Sequence, residues 1–162
     1  MDYTIRPGTP ADTSQVDALL ARTYPALLKA DYAPSVLVTA IPVISRARPE
    51  LMRCGTYYVA LTHGGNLVGA GGWTPDKSDP TLGHIRHVVT DLDYLRQGIA
   101  GVLMQTSFQS AQEAGCTKME CWSTLTAERF YQSQGFQTVG PMDVTLMGGI
   151  SFPALRMERD LP

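Results

Sequence analysis

The stretch YLRQGIAGVLM, residues 94 to 104, sets Arg96-Gln97-Gly98-Ile99-Ala100-Gly101 between a β-rich run and apolar residues at helical spacing. The first backbone N–H groups of a helix have no partner inside it and stand at the positive end of its dipole, so they form a ready anion site. Glycine at positions 98 and 101 removes the Cβ atoms that would keep a phosphate away from those amides. In isolation the stretch reads equally as a pyrophosphate cradle or as a tight strand-to-helix turn. Two known phosphate loops are excluded. GxxxxGK[ST] is absent, and GxGxxG is not matched, because Gly98 and Gly101 are three apart with Ala100 between them.

Outward from that stretch the hydrophobic period alternates between two values. Residues 83 to 90, GHIRHVVT, read as the strand that leads into it, and 56 to 62 with 66 to 74 read as a hairpin turned at His63-Gly64-Gly65. Downstream, Ala100, Leu103, Met104, Ser107, Ala111 and Ala114 follow one side of a helix that Gly115 ends. KMECW, 118 to 122, is the next strand, followed by a short helix from about 125 to 134 and two late strands near 136 to 146 and 152 to 158. At the start, Tyr3 to Arg6 form a strand, and Thr9 or Asp12 caps a helix with Val16, Leu19 and Leu20 on one face. A further helical region covers parts of 26 to 52, interrupted around Pro34 and Pro42. The order implies an α/β sandwich on a mixed sheet.

A chain of 162 residues with 44% hydrophobic content suits one domain, 1 to 162, with a sizeable core. The net charge of -2 and the absence of any basic cluster speak against nucleic acid. No apolar segment is long enough to span a bilayer, and the N-terminus lacks the pattern of a signal peptide. Cys54, Cys116 and Cys121 have spacings that suit neither zinc nor a disulfide framework. The expectation is a cytoplasmic protein with free thiols, no metal and no membrane partner.

The motif residues resemble those of the GNAT-family N-acetyltransferases, which use acetyl-CoA. LRQGIA matches that family's [RQ]xxGx[GA] helix start at Gly98 and Ala100, with Leu95 where the family usually has Arg or Gln. STLTAERFYQSQGF, 123 to 136, is similar to its Ala-xx-Phe/Leu-Tyr-xxx-Gly-Phe segment at Ala127, Tyr131, Gly135 and Phe136, and IRPGTPAD resembles its common opening. The resemblance implies a three-layer α/β/α sandwich whose mixed, mostly antiparallel sheet is splayed at the cofactor site.

It also implies roles. The backbone of Val88, Val89 and Thr90 pairs with the pantetheine arm, and the Val88 N–H stabilises the thioester oxyanion. The amides of Arg96, Gln97, Gly98, Ile99, Ala100 and Gly101 hold the pyrophosphate, and Thr124 or Thr126 touches the cofactor unless it serves as a helix cap. Tyr131 assists departure of the CoA thiolate. His84 matches one of two histidines of arylalkylamine acetyltransferases, the second being replaced by Arg86, which favours it as the base over His87. Strand alternation sets His87 on the opposite face and groups His84 with Arg86, Val88 and Thr90. Glu120 is a further candidate base. Tyr24, Tyr32 and Trp73 either line an acceptor pocket or are ordinary core aromatics, the loops around Trp73 and Asp76 are candidates for acceptor specificity, and Arg86 suits an acceptor bearing a carboxylate.

The leading function is therefore acetyl transfer from acetyl-CoA to a primary amine of a small molecule, by direct attack in a ternary complex. A non-catalytic acyl-CoA sensor and a protein N-terminus or lysine acetyltransferase remain alternatives. A homodimer through the late strands is compatible with the family.

Overall fold

A computed structural model describes residues 2–162. One seven-stranded sheet runs in the order β1-β2-β3-β4-β5-β7-β6. Its strands are β1 (Tyr3–Pro7), β2 (Tyr57–Thr62), β3 (Leu67–Pro75), β4 (Leu82–Thr90), β5 (Lys118–Ser123), β6 (Gln137–Leu146) and β7 (Ile150–Asp160). All neighbours are antiparallel except β4 and β5. Helices α1 (Thr13–Leu28), α2 (Pro34–Ile44), α3 (Pro49–Arg53), α4 (Ile99–Glu113) and α5 (Glu128–Ser133) complete the chain.

Two apolar layers hold helices to the sheet. On one face Met104, Phe108 and Ala111 of α4 pack with Trp73, Ile85, Met119, Tyr131 and Phe136. On the other, Val16, Leu19 and Leu20 of α1 and Leu51 and Met52 of α3 pack with Tyr57, Val59, Leu67 and Val89. The three-layer sandwich expected from the sequence is thus present.

Some expectations change in detail. Pro34 opens α2 at its first turn, where its missing N–H costs nothing, instead of interrupting a helix. Pro42 lies inside α2. The helix expected from residue 125 begins as a 3-10 turn, Leu125–Ala127, before α5. Trp73 belongs to the core beneath α4, where its Nε1–H donates to Ser110 Oγ at 3.0 Å. Tyr32 donates its hydroxyl to the Pro153 carbonyl at 2.7 Å and stacks on Phe152. Neither belongs to an acceptor pocket; both are braces.

Two features of β4 shape everything near it. The parallel ladder with β5 covers only Leu82 to His84 against Lys118 to Glu120. Beyond that point β4 keeps β3 alone and β5 keeps β7 alone, so the strands part. The β3–β4 register then passes from Gly72↔Arg86 to Ala70↔Val89, so His87 and Val88 together face Gly71. This is a β-bulge, and His87 takes the left-handed conformation it requires, with φ +44°. The bulge resets the alternation: Val88 packs with Ile85 on the α4 side, whereas Val89 joins the α1 side. The simple grouping of His84, Arg86, Val88 and Thr90 therefore fails beyond Arg86.

Close backbone approach keeps this register. A Cβ on Gly72 would lie 2.5 Å from the Tyr57 Cα, in the backbone of β2. Gly72→Ala should cost about 1–3 kcal/mol through overpacking. Gly140→Ala, where nothing lies within 4 Å of the new Cβ, should stay within about 0.5 kcal/mol of native. Urea midpoints compare the two.

Candidate active site

Where β4 and β5 part, a cavity of about 260 Å³ opens. His84, Arg86, His87 and Val88 of β4 line one wall, and Glu120, Cys121 and Trp122 of β5 line the other. Tyr131 of α5, Thr124, Thr126, Tyr24, Arg48 and apolar residues of α1, α2 and the β6–β7 hairpin close it. In open sheets, ligands bind beyond the carboxyl ends of parallel strands. The start of α4 follows the same end of β4.

At that start Gly98 has φ +79° and serves as N-cap, and Arg96 is also left-handed at +64°. The first α-helical bond runs from the Val102 N–H to the Gly98 carbonyl at 3.0 Å, so the N–H groups of Ile99, Ala100 and Gly101 precede the ladder. A Cβ on Gly98 would meet nothing within 4 Å, and one on Gly101 would meet only Gln134 Nε2 at 3.8 Å. Arg96 and Gln97 are exposed, whereas the Ile99 side chain is buried and holds α4 to β2 and β3. This is open, amide-lined space suited to an anion. The residues of the cofactor site expected from sequence are spread over two places. Val88 and Thr124 line the cavity, residues 96–101 form the loop, and Val89 and Thr90 are buried in the strand.

His84 is held from two sides. Its Nε2 lies 2.7 Å from Asp76 Oδ1, and its Nδ1 lies 3.7 Å from Glu120 Oε1. Asp76 is fixed in turn by the N–H groups of Ser78 and Asp79 at 3.1 and 3.0 Å. The hydrogen bond from His84, and then those amides, hold the Asp76 carboxyl well below the usual carboxylate range. An ionised Asp76 can only accept, so the neutral imidazole carries its proton on Nε2 and keeps its Nδ1 lone pair free. Glu120 is buried, and it accepts from Trp122 Nε1 at 2.8 Å and from Arg156 Nε at 3.3 Å. Sequence reasoning named His84 and Glu120 separately. It missed Asp76, Trp122 and Arg156 as their partners, since these come from a turn, the exposed face of β5 and β7.

Tyr131 is buried, and that burial, then the neighbouring Cys121, Tyr24 and Tyr57, pushes its phenol well above 10. It stays a proton donor. Cys121 also lines the cavity, but burial, then Glu120, raises its thiol well above the usual range, so it is no thiolate nucleophile. Thr126 donates its hydroxyl to Asp31 Oδ2 at 2.8 Å. Among the described residues no cluster suits a metal ion.

His87 is the titratable residue of the bulge, half-buried as a whole. Its carbonyl accepts from the Tyr57 hydroxyl at 2.9 Å, while its Nδ1 is buried without a partner. Burial, then Arg48 and Arg86, brings its imidazole down to about 4, and it lines the same cavity as His84 and Arg86.

A sheet whose one parallel pair parts around a cavity, with a glycine-opened helix start at its carboxyl end, is the α/β/α arrangement that the sequence resemblance to acetyltransferases implied. Residues 29–159 match the family model described as the acetyltransferase (GNAT) domain, and the chain belongs to that family. It is similar to the mouse (Mus musculus) probable N-acetyltransferase family 8 member 5, with 32% identity over 117 residues. That match takes in 68% of this chain and 50% of the mouse protein, so the chain spans about half the length of the curated relative it matches. Among solved structures, the GCN5-related N-acetyltransferase "Aminotransferase, Class-II" of Rhodopseudomonas palustris superposes with a TM-score of 0.83 at 18% identity, over 99% of this chain and 97% of that one. The PaiA N-acetyltransferase of Thermoplasma acidophilum, solved with coenzyme A, does so with a TM-score of 0.73 at 12% identity, over 99% of each chain. Those two likenesses are of fold.

His87 yields a stability prediction. Its imidazole titrates near 6.5 when unfolded and about 4 when folded, so the native state favours the neutral form. That contribution is complete above about pH 6.5 and is lost as pH falls towards 4, by roughly 3 kcal/mol. Urea unfolding between pH 7 and 4 should show this loss, and His87→Gln should flatten the slope in that window.

Proposed function

We propose that the protein transfers an acetyl group from acetyl-CoA to a primary amine of a small molecule, by direct attack in a ternary complex. The observation that carries this reading is one cavity at the parting of β4 and β5, in which His84, backed by Asp76, and Tyr131 meet. Acetyl-CoA supplies the activated acyl group and a thiolate leaving group.

The open amides of Ile99, Ala100 and Gly101 suit its pyrophosphate. The bulge backbone at Val88 lies at the cavity wall, where its N–H is the candidate donor to the thioester oxygen. An amine with pKa near 10.4 gives up its proton at pH 7 at a cost of about 4–5 kcal/mol. His84 Nδ1 takes that proton, and the imidazolium that forms lies between Asp76 and Glu120. Tyr131 donates a hydrogen bond to the departing sulfur. Its raised pKa makes full transfer of the phenolic proton more costly than stabilising the sulfur by that bond. Asp76 is a positioning residue that sets the His84 tautomer. The free Cys54, Cys116 and Cys121 support a cytoplasmic setting for the same reading.

Calorimetry with acetyl-CoA and thiol release with an amine panel test the proposal. Gly101→Leu, which fills space open at the helix start, should weaken acetyl-CoA binding by about 10-fold or more while the fold persists. Tyr131→Phe should lower kcat by about 10- to 100-fold with little change in acetyl-CoA affinity. Asp76→Asn should lower kcat and shift its pH profile. A folded native protein that does not bind acetyl-CoA would overturn the assignment. Binding without amine-dependent thiol release would favour a sensor, and turnover of peptides alone would favour a protein acceptor.

A further inference from the structure

We infer that the acceptor is an α-amino acid with an apolar side chain, its carboxylate held by Arg86 and its amine presented to His84 and Glu120. This rests on the acetyl-transfer reading above and names the acceptor class for the same cavity.

Arg86 is a half-buried cation on which Asp76, Glu120 and Glu50 act only from beyond ion-pair distance. Its Nε donates to Thr74 Oγ1 at 2.9 Å, and among the described residues its terminal nitrogens enter no ion pair. A charge withdrawn from water without a partner is costly. Burial, and then Arg48, lowers the guanidinium below its usual value. Arg48 lines the same cavity, with its Nε on Glu50 Oε1 at 3.0 Å. A second, independent observation points the same way. His87 is held neutral in that wall with an unpartnered Nδ1, a nitrogen that in its protonated tautomer donates to an acceptor oxygen. The terminal nitrogens of Arg86 and the His87 Nδ1, donors without an acceptor among the described residues, describe a site for an anion.

The spacing selects the kind of molecule. His84 and Arg86 are two residues apart on β4, before the bulge, and so about 6.7 Å apart along one face. A ligand that meets both side chains from that one face must carry its amine and its carboxylate close together, as they are on the one carbon of an α-amino acid. Around these polar groups the wall is apolar, with Leu27, Ile44, Val144, Leu146, Phe152 and Trp122. A charged or sugar-like side chain would lose its hydration there without compensation.

The test compares L-phenylalanine with phenethylamine, which lacks only the carboxylate, as acceptors for the native protein with acetyl-CoA. The kcat/KM for L-phenylalanine should exceed that for phenethylamine by about 10- to 100-fold, the scale of a charge-assisted bidentate contact. Arg86→Gln should bring the ratio close to one, and Arg86→Lys should restore part of it. Arg48→Gln, at an exposed site, gives a second reading if Arg86→Gln does not fold. Acetylation of phenethylamine as fast as or faster than L-phenylalanine would overturn the inference and leave the acetyltransferase reading intact. Binding of L-phenylalanine to the CoA-loaded protein, weakened by Arg86→Gln, without any acetyl transfer would uphold the carboxylate site and overturn the acetyltransferase reading. Neither binding nor transfer would overturn both.

Discussion

Parallel strands share hydrogen bonds only while they stay side by side, and β4 and β5 do so for three residue pairs, ending at His84 and Glu120. Past that point each strand has a neighbour on one side only, and the sheet is continuous around a gap. The bulge at His87 and Val88 strengthens the local twist and turns the backbone of β4 away from a regular ladder. It is held by close packing: Gly71 faces the bulge, where a Cβ would lie 3.0 Å from a Val88 methyl, and the Tyr57 hydroxyl ties down the His87 carbonyl. The cavity, the loop before α4 and the polar cluster all depend on that parting of strands.

Electrostatics divide the cavity into parts. Near the last paired residues, His84 stands between the Asp76 and Glu120 carboxylates, and Trp122 and Arg156 satisfy Glu120. One step along β4, Arg86 donates its Nε to Thr74 Oγ1 and enters no ion pair among the described residues, and His87 Nδ1 has no partner there. Tyr131 closes the α5 side as a buried phenol that keeps its proton. The proposed acetyl transfer rests on these groups sharing one partly apolar space, an imidazole to accept a proton and a phenol to donate a hydrogen bond.

The sequence made the elements around the cofactor legible because glycine and periodicity are local signals. Gly98, Gly115 and Gly135 each take positive φ at the helix boundaries where the spacing put them. The family motif around Gly98, Ala100 and Tyr131 then tied two elements to one site. Alternation misled at His87, because a bulge adds one residue to a strand and leaves no mark in a period-two pattern. Trp73 and Tyr32 stayed undivided between pocket and core in the sequence for another reason: an aromatic that lines a pocket and one that braces a core look the same there, and the structure puts both in the core. Asp76, Trp122 and Arg156 were invisible as partners of His84 and Glu120, since the fold alone joins a turn, a strand face and a distant β7.

A crystal structure with acetyl-CoA bound is the decisive measurement. The account predicts the pantetheine arm between β4 and β5, the pyrophosphate on the amides of residues 99–101, and the thioester sulfur within hydrogen-bond reach of the Tyr131 hydroxyl. Acetyl-CoA bound elsewhere, or with its sulfur turned away from Tyr131 and His84, would contradict it.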